Sequence, residues 1–305
     1  MKILVSGASG LIGSALVSTL ASDGHEILRL SHSDSDGDAT TATWQPENGD
    51  FPDAQKAKLQ GVEAAFHLAG ENVFGRWDED KKRAIRDSRV ASTRILSEAL
   101  AALSPRPRVL ISASAVGYYG SRGAEALNEN SAPGDDFLAD VCRDWERVAD
   151  AARDAGIRVA HPRFGVVLSR DGGALQKMRL PFSLGLGGPI GTGKQFFSWI
   201  ALEDVIGGLR FLLENENAAG AFNFVAPEAV KNHTFVRALG RVLQRPAVVP
   251  LPASALELAF GKESAGQTLL ASQRAVPEKL LAHGFEFQHS KLEDALRAIL
   301  NDELD

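Results

Sequence analysis

Lys2-Ile3-Leu4-Val5-Ser6-Gly7-Ala8-Ser9-Gly10-Leu11-Ile12-Gly13 is the stretch on which the reading of this chain turns. A short apolar, β-branched run ends at Ser6 and helix-forming sequence starts at Leu11, so the pattern predicts a buried strand, a glycine turn and a helix. In such a turn Gly7 permits a tight reversal, Gly10 admits a phosphate close to backbone N–H groups, and Gly13 lets the helix lie close on the sheet. The helix start, with Ser9, Leu11 and Ile12 around it, adds unsatisfied N–H donors and a partial positive charge. The spacing is G-x-x-G-x-x-G, one residue longer in its first interval than the commoner dinucleotide fingerprint. Its place directly after a strand and before a helix points to a dinucleotide pyrophosphate rather than to an ordinary glycine-rich turn.

Composition narrows the field. A chain of 305 residues can bury a full core in one large or two closely packed domains, and 44% hydrophobic with 24% charged residues is ordinary for a globular protein. A net charge of −6 and a pI near 5.7 argue against a nucleic-acid partner. No apolar run is long enough to span a bilayer, and Met1-Lys2 leads straight into the first strand, so neither a membrane span nor a signal peptide is expected. Cys142 is the single cysteine, which excludes an internal disulfide and a cysteine metal cluster and implies a reducing, cytoplasmic setting. The seven histidines lack H-E-x-x-H spacing, so no metal site is expected.

Outward from the turn, Leu11 to Ala21 reads as a helix stopped at Gly24, and Glu26 to Ser31 as a second strand. The tip of that strand selects the cofactor, because an acidic residue there would hold the ribose hydroxyls of NAD and a cation the extra phosphate of NADP. Ser31-His32-Ser33, preceded by Arg29, favours NADP, while Asp34 and Asp36 keep NAD open. Ala42-Thr43-Trp44 reads as a third strand and Ala64 to Leu68 as a fourth, its end Leu68-Ala69-Gly70 small enough for a cofactor to pass close to backbone. His67 reads as a packed strand histidine, with a ligand to substrate as the alternative. One long helix is expected from Asp78 to Leu103, with Ser88 and Arg89 near its apolar stripe. Val109 to Ser112 is the fifth strand, and the hydroxyls of Ser114, Tyr118 and Tyr119 beyond it face the crevice where ligands bind. A helix from Asp136 to Ala155 and a sixth strand from Arg158 to Arg163 complete the alternation of a doubly wound parallel α/β sheet.

Residues 1–165 are therefore read as the Rossmann dinucleotide-binding domain, also receiving 195–226, and 166–305 as a smaller α+β substrate-binding part. Leu184 to Gly191 is too glycine-rich for an element interior and reads as a binding loop or flexible cover. Gly193-Lys194-Gln195 lacks the hydroxyl residue of a second phosphate loop. Helices are expected over Glu203–Leu213, Asn232–Leu243, Ala253–Phe260, Pro277–His283 and Lys291–Leu300, with a strand over Ala221–Val225.

The glycine turn, FHLAG at 66–70 and RFGVVLS at 163–169 resemble the extended short-chain dehydrogenase/reductase superfamily. LAGENVFGRWDEDKKRAIRDSR, SASAVGYYG, FLADVCRDWE, GLGGPIGTGKQFFSWI and LLASQRAVPEKLLAHGFEF narrow the resemblance to its atypical NAD-dependent epimerase/dehydratase branch, some members of which carry a cell-division-inhibitor label that no residue here supports. The resemblance implies a Rossmann domain with a carboxyl-terminal substrate domain. It also implies a Ser or Thr with a Y-x-x-x-K pair, the tyrosine exchanging a proton with substrate and the lysine lowering the tyrosine pKa and holding the ribose. The corresponding helix here reads Phe137-Leu138-Ala139-Asp140-Val141-Cys142, with neither Tyr nor Lys. Ser112 or Ser114 matches the superfamily serine, and Tyr118 and Tyr119 follow it, as catalytic groups or as residues that pack against the cofactor or close the fold; Arg89 falls where relatives hold an active-site asparagine, Arg163 lies near the cofactor-facing end of the sixth strand, and Arg89, Ser112 and Arg163 are expected to contact the cofactor. Trp145 and Glu146 read as packing and capping residues, and Ala201 stands where relatives read SWIH.

Two readings follow. In one, the chain is an NADP-dependent (or NAD-dependent) oxidoreductase or epimerase for a small polar substrate such as a sugar nucleotide, with Ser114 and Tyr118 or Tyr119 polarising it. In the other, the cofactor site is kept, the acid/base pair is lost, and the chain is a sensor or interaction protein. Nothing in the sequence selects between a monomer and a homodimer.

Overall fold

The computed structural model describes residues 1–32, 38–46 and 49–301. Ile3, Leu4 and Val5 of β1 (Lys2–Ser6) alternate between the two faces of the sheet and are all fully buried, as a strand covered by helices on both sides requires. After the glycine turn come α1 (Leu11–Ser22), β2 (Glu26–Ser31), β3 (Thr41–Thr43), α2 (Asp53–Lys56) and β4 (Ala64–His67). Then follow α3 (Glu79–Asp87), α4 (Val90–Ala101), β5 (Val109–Ser112), β6 (Ser114–Ala115), β7 (Ala126–Leu127), α5 (Phe137–Arg147), α6 (Asp150–Asp154) and β8 (Arg158–Phe164). The main sheet runs β3-β2-β1-β4-β5-β8, every pairing parallel, and β6 pairs with the end of β8. Strand order reverses at β1, between β2 on one side and β4 on the other, and that switch point opens the crevice for a ligand.

The chain then leaves the sheet through β9 (Val166–Leu168), α7 (Gly173–Ser183), β10 (Phe196–Phe197) and β11 (Trp199–Ala201), and returns to it with α8 (Leu202–Glu214) and β12 (Gly220–Phe224). β12 pairs parallel with β8, and Val205, Leu209 and Leu212 of α8 join Leu16 and Leu20 of α1 over Ile3, Val5 and Ile111. On the opposite face Ile95, Leu96 and Leu100 of α4 cover Leu4, Ala65 and Leu110. The remaining elements are β13 (Val230–Lys231), α9 (Asn232–Val242), α10 (Ala253–Phe260), α11 (Lys262–Gln267), β14 (Arg274–Ala275), α12 (Glu278–Ala282) and α13 (Leu292–Asn301). There α9 and α13 pack Phe235, Leu239 and Leu296 against Leu168 and Trp199 in a second core.

The structure departs from the sequence reading at several elements. The long helix expected from Asp78 is broken at Ser88-Arg89, because the N–H of Arg89 turns back to the carbonyl of Arg86 and the carbonyl of Ser88 is taken by the hydroxyl of Ser92 at 2.6 Å. The helix expected over Asp136–Ala155 is likewise two, α5 and α6, with the N–H of Ala152 bonding three residues back to Ala149 at the join. α7 lies where no helix is expected, with Pro181 inside it. The glycines of 184–191 serve close packing: Val249 and Leu251 donate to the carbonyls of Gly187 and Pro189, and a Cβ on Gly188 would lie 1.8 Å from the Val249 carbonyl oxygen. Only glycine lets the two segments run that close together. Among the described residues, no helix is long and apolar enough to cross a membrane, and no group of His, Cys, Asp and Glu could hold a metal ion.

Candidate cofactor and active site

The turn between β1 and α1 is built for absent side chains. Gly7 has φ +70°, and a Cβ on it would lie 2.8 Å from backbone at Leu68 and Ala69. A Cβ on Gly13 would lie 2.0 Å from the Gly7 carbonyl oxygen, while one on Gly10 would meet protein only at that oxygen, 3.3 Å away. The first N–H of the helix to find a backbone carbonyl is that of Ser14, which donates to Gly10 at 2.8 Å. The N–H groups of Leu11, Ile12 and Gly13 precede it and are left over, as at every helix start. α1 has neither a side-chain cap nor an acidic residue in its first turn, so nothing of its own neutralises that end. Gly7, Gly10, Leu11, Ile12 and Gly13 line a groove of about 280 Å³ with Leu68, Val166 and Val167. Its free donors, positive helix end and missing Cβ atoms fit a pyrophosphate. Ser9 is exposed at the mouth of the turn.

At the tip of β2, Ser31 is half-buried and His32 exposed, the His32 ring 6.1 Å from that of Trp44. Ser33, Asp34 and Asp36, on which the choice of cofactor also drew, lie outside the described residues. At the end of β4, His67 is fully buried between the hydroxyls of Ser6 (2.5 Å) and Ser92 (3.1 Å), and burial lowers its pKa to about 3. It is a neutral packing residue that ties β4 to β1 and α4.

Gly70 sits against Arg89: a Cβ there would be 3.2 Å from the guanidinium carbon. The Arg89 guanidinium stacks over Trp145 at 5.2 Å, and its Nη1 donates to the Ile85 carbonyl at 3.0 Å and reaches the Ser88 hydroxyl at 3.5 Å. Burial lowers its pKa, an effect that Cys142 and Glu71 oppose. Trp145 itself donates to the Thr93 hydroxyl at 2.8 Å, which fixes α5 on α4.

The serines and tyrosines after β5 divide into a buried network and one free phenol. Arg163 is 3% exposed and grips Glu146 with two bonds, Nε to Oε1 at 2.7 Å and Nη2 to Oε2 at 2.8 Å. Ser114 donates to the same Oε1 at 2.7 Å. Nη1 of Arg163 donates to the Tyr119 hydroxyl at 2.9 Å, and that hydroxyl donates to Asn223 Oδ1 on β12 at 2.7 Å. Burial pushes the Tyr119 phenol up to about 12, partly offset by Arg163, so it stays protonated at neutral pH. Burial also raises the Glu146 pKa, but the bonds and charge of Arg163 outweigh it and the net direction is down. Ser112 is fully buried, and its hydroxyl has no partner among the described residues. Tyr118 differs from all of these. It is half-buried, its ring lies 3.5 Å from the Arg163 guanidinium, and its hydroxyl makes no hydrogen bond among the described residues.

Glu146, the hub of the network, was read from the sequence as a helix-capping residue. The signal for its place is the spacing Leu138, Cys142, Glu146 along one stripe of α5, with the opposite charge of Arg163 waiting on β8. Removing one hydroxyl tests the network: Tyr119→Phe leaves Arg163 Nη1 and Asn223 Oδ1 without that partner and is expected to cost about 1–3 kcal/mol. Thermal or urea denaturation reads this directly, and an unchanged midpoint contradicts it.

A family model described as the NAD dependent epimerase/dehydratase family matches residues 3–224, and one described as a domain of unknown function, DUF1731, matches residues 251–299. Epimerase family protein Mb2239 of Mycobacterium bovis is 41% identical over 296 residues, covering 96% of this chain and 96% of that one. Of solved structures, human epimerase family protein SDR39U1 (isoform 2), crystallised with NADPH, is 36% identical with a TM-score of 0.89, covering 99% of this chain and 100% of that one. The nucleoside-diphosphate sugar epimerase of Corynebacterium glutamicum is 35% identical with a TM-score of 0.80, covering 98% of this chain and 58% of that one.

Proposed function

We propose, from the premise that this chain belongs to the NAD-dependent epimerase/dehydratase family, that it is an NADP(H)-dependent oxidoreductase or epimerase-like enzyme acting on a small polar substrate, a sugar nucleotide being the class to try first. The glycine cradle carries the cofactor reading, because a Cβ on Gly13 would overlap the turn and the donors it leaves free fit a pyrophosphate. Gly7, Ser9, Gly10, Leu11, Ile12 and Gly13 would hold the phosphates, Ser31 and His32 the adenosine end, and Leu68, Ala69 and Gly70 the face of the dinucleotide that crosses β4. The NADPH bound to the human relative and the absence of an acidic residue at Ser31-His32 support NADP over NAD. When bound, the cofactor supplies hydride transfer at its nicotinamide.

The protein's own part in the chemistry falls first to Tyr118, the half-buried phenol whose hydroxyl makes no hydrogen bond among the described residues. It lies in the turn that follows β6, its ring centre 3.5 Å from the Arg163 guanidinium, and can exchange a proton with a substrate hydroxyl or carbonyl. Ser114 orients the polar end of the substrate from beside Glu146, and Tyr119 acts through Arg163, holding the surface on which Tyr118 lies. Residues 166–305, apart from 195–226, form the substrate-binding part, and the setting is the cytoplasm.

The test is turnover of NADPH with a panel of sugar nucleotides and carbonyl compounds. Tyr118→Phe is expected to lower kcat/KM by about 100-fold or more while NADPH affinity stays as in the wild type, as loss of a general acid/base does. Undiminished turnover in Tyr118→Phe removes the tyrosine from the mechanism. Tight NADPH binding with no turnover of any substrate favours the sensor, a reading that the absence of Tyr and Lys from 137–142 supports.

A further inference from the structure

We propose that Arg89 supplies, from the N-terminus of α4, the cofactor-anchoring cation that α5 lacks, and that the free edge of its guanidinium holds the ribose hydroxyls on the nicotinamide side of the dinucleotide. The inference rests on the reading that a dinucleotide occupies the groove. On α5, Leu138 and Cys142 have the i, i+4 spacing of a Y-x-x-x-K pair and face the same turn: a Cβ on Gly117 would lie 3.6 Å from Leu138 Cβ and 3.8 Å from Cys142 Sγ. Neither side chain carries a charge there, since the Cys142 thiol is buried and pushed up to about 12. Arg89 comes within electrostatic reach of Cys142 from the neighbouring helix, with Trp145 of α5 beneath its guanidinium.

Two features point to a role for this arginine beyond the fold. Only Nη1 is used, on Ile85 and Ser88; Nε and Nη2 make no hydrogen bond among the described residues. No carboxylate among the described residues forms an ion pair with it, the nearby Glu71 being engaged by Lys81. A half-buried guanidinium whose Nε and Nη2 are idle and which lacks a counter-ion lowers stability, and such local conflicts gather at sites of function.

Position fixes which half of the ligand it meets. The adenosine ribose belongs to the β2 tip, on one side of β1, whereas Arg89 lies beside Gly70 at the end of β4, on the other side of the switch point. The absence of a Cβ at Gly70 opens the path between the guanidinium and a ligand crossing that strand end.

The experiment compares two ligands on the intact protein by equilibrium titration: NADPH, which reaches both sides of β1, and adenosine 2′,5′-bisphosphate, which has only the adenosine side. Arg89→Met is expected to weaken NADPH by about 10- to 100-fold, the value of charge-assisted bonds lost, and to leave the bisphosphate unchanged. Arg89→Lys, which keeps the charge and loses the fork, should recover part of the NADPH affinity and serves in its place if the methionine variant does not fold. NADPH binding unchanged in both variants overturns the inference, as does an equal loss for both ligands, which would make Arg89 a structural residue. A wild-type chain that does not bind NADPH at all overturns the dinucleotide reading itself, a result distinct from either.

Discussion

Gly13→Ala is expected to weaken NADPH binding by about 100-fold or more and to lower stability by about 1–3 kcal/mol, the range for forcing a methyl group into a packed site. The added carbon would lie 2.0 Å from the Gly7 carbonyl oxygen, 2.8 Å from the Gly7 carbonyl carbon and 3.0 Å from Ala8 Cα. All three atoms are backbone, so no side chain can swing away, and the turn itself must open. Gly7 cannot yield easily, since it is already at φ +70° and pressed against Leu68 and Ala69. The displaced atoms belong to the segment that aims the N–H groups of α1, and a small shift there removes several donors from one phosphate together. Gly10→Ala is the informative contrast. Its Cβ would meet protein only at 3.3 Å, so the fold should tolerate it while the groove that Gly10 lines is narrowed. NADPH titration and thermal denaturation of the two variants should therefore separate, Gly13→Ala failing in both and Gly10→Ala in binding alone. Wild-type affinity in Gly13→Ala would mean that this turn does not carry the phosphates.

The pieces legible in the sequence are those in which one local rule acts alone. β1 and β2 end where their apolar runs end, and α1 starts at Leu11 because glycine and strand signals bracket it. α10, Ala253–Phe260, follows Pro252 and stops at Gly261, whose φ of +84° only a glycine takes readily. The reading failed where tertiary contacts override a local pattern. Nothing in the periodicity of Asp78 to Leu103 announces that Ser88 will surrender its carbonyl to the hydroxyl of Ser92 and its own hydroxyl to the N–H of Glu71. For 184–191, read as a binding loop or flexible cover, the packing on 247–251 was not legible because that segment is some 60 residues away and carries no motif. In the site, Ser112, Ser114 and Arg163 lie at or near strand ends, and Tyr118 and Tyr119 in the turn that follows β6. Which of them face one another is a matter of side-chain direction, decided by the Glu146 carboxylate on α5.

That carboxylate sets the second large effect. Arg163→Met is expected to destabilise the chain by about 3–5 kcal/mol, because removing one member of a buried ion pair leaves the other charged and unpaired. The side chains of Arg163 and Glu146 are 4% and 15% exposed, so water can do little to replace the lost partner. The loss spreads to Tyr119, Tyr118 and Ser114, each of which touches the pair. Glu146→Gln should cost less, since an amide oxygen can still accept from Arg163 and Ser114, and the double variant should cost less than the sum of the two because they share one interaction. The pH dependence identifies the cause. In the wild type the Glu146 pKa is held below its ordinary value, so the pair contributes fully above about pH 4.3 and loses its contribution as the pH falls through the lowered value. In Arg163→Met burial, which raises the pKa of the same carboxyl, is opposed only by the Ser114 bond and by His161, so the pKa rises relative to the wild type; protonation then relieves the variant at a pH where the wild type still gains from its charge. The gap between the two urea midpoints should therefore be widest near pH 7 and shrink toward pH 4. A gap that stays constant over that range would assign the loss to packing rather than to the ion pair that holds Arg163 against the Tyr118 ring.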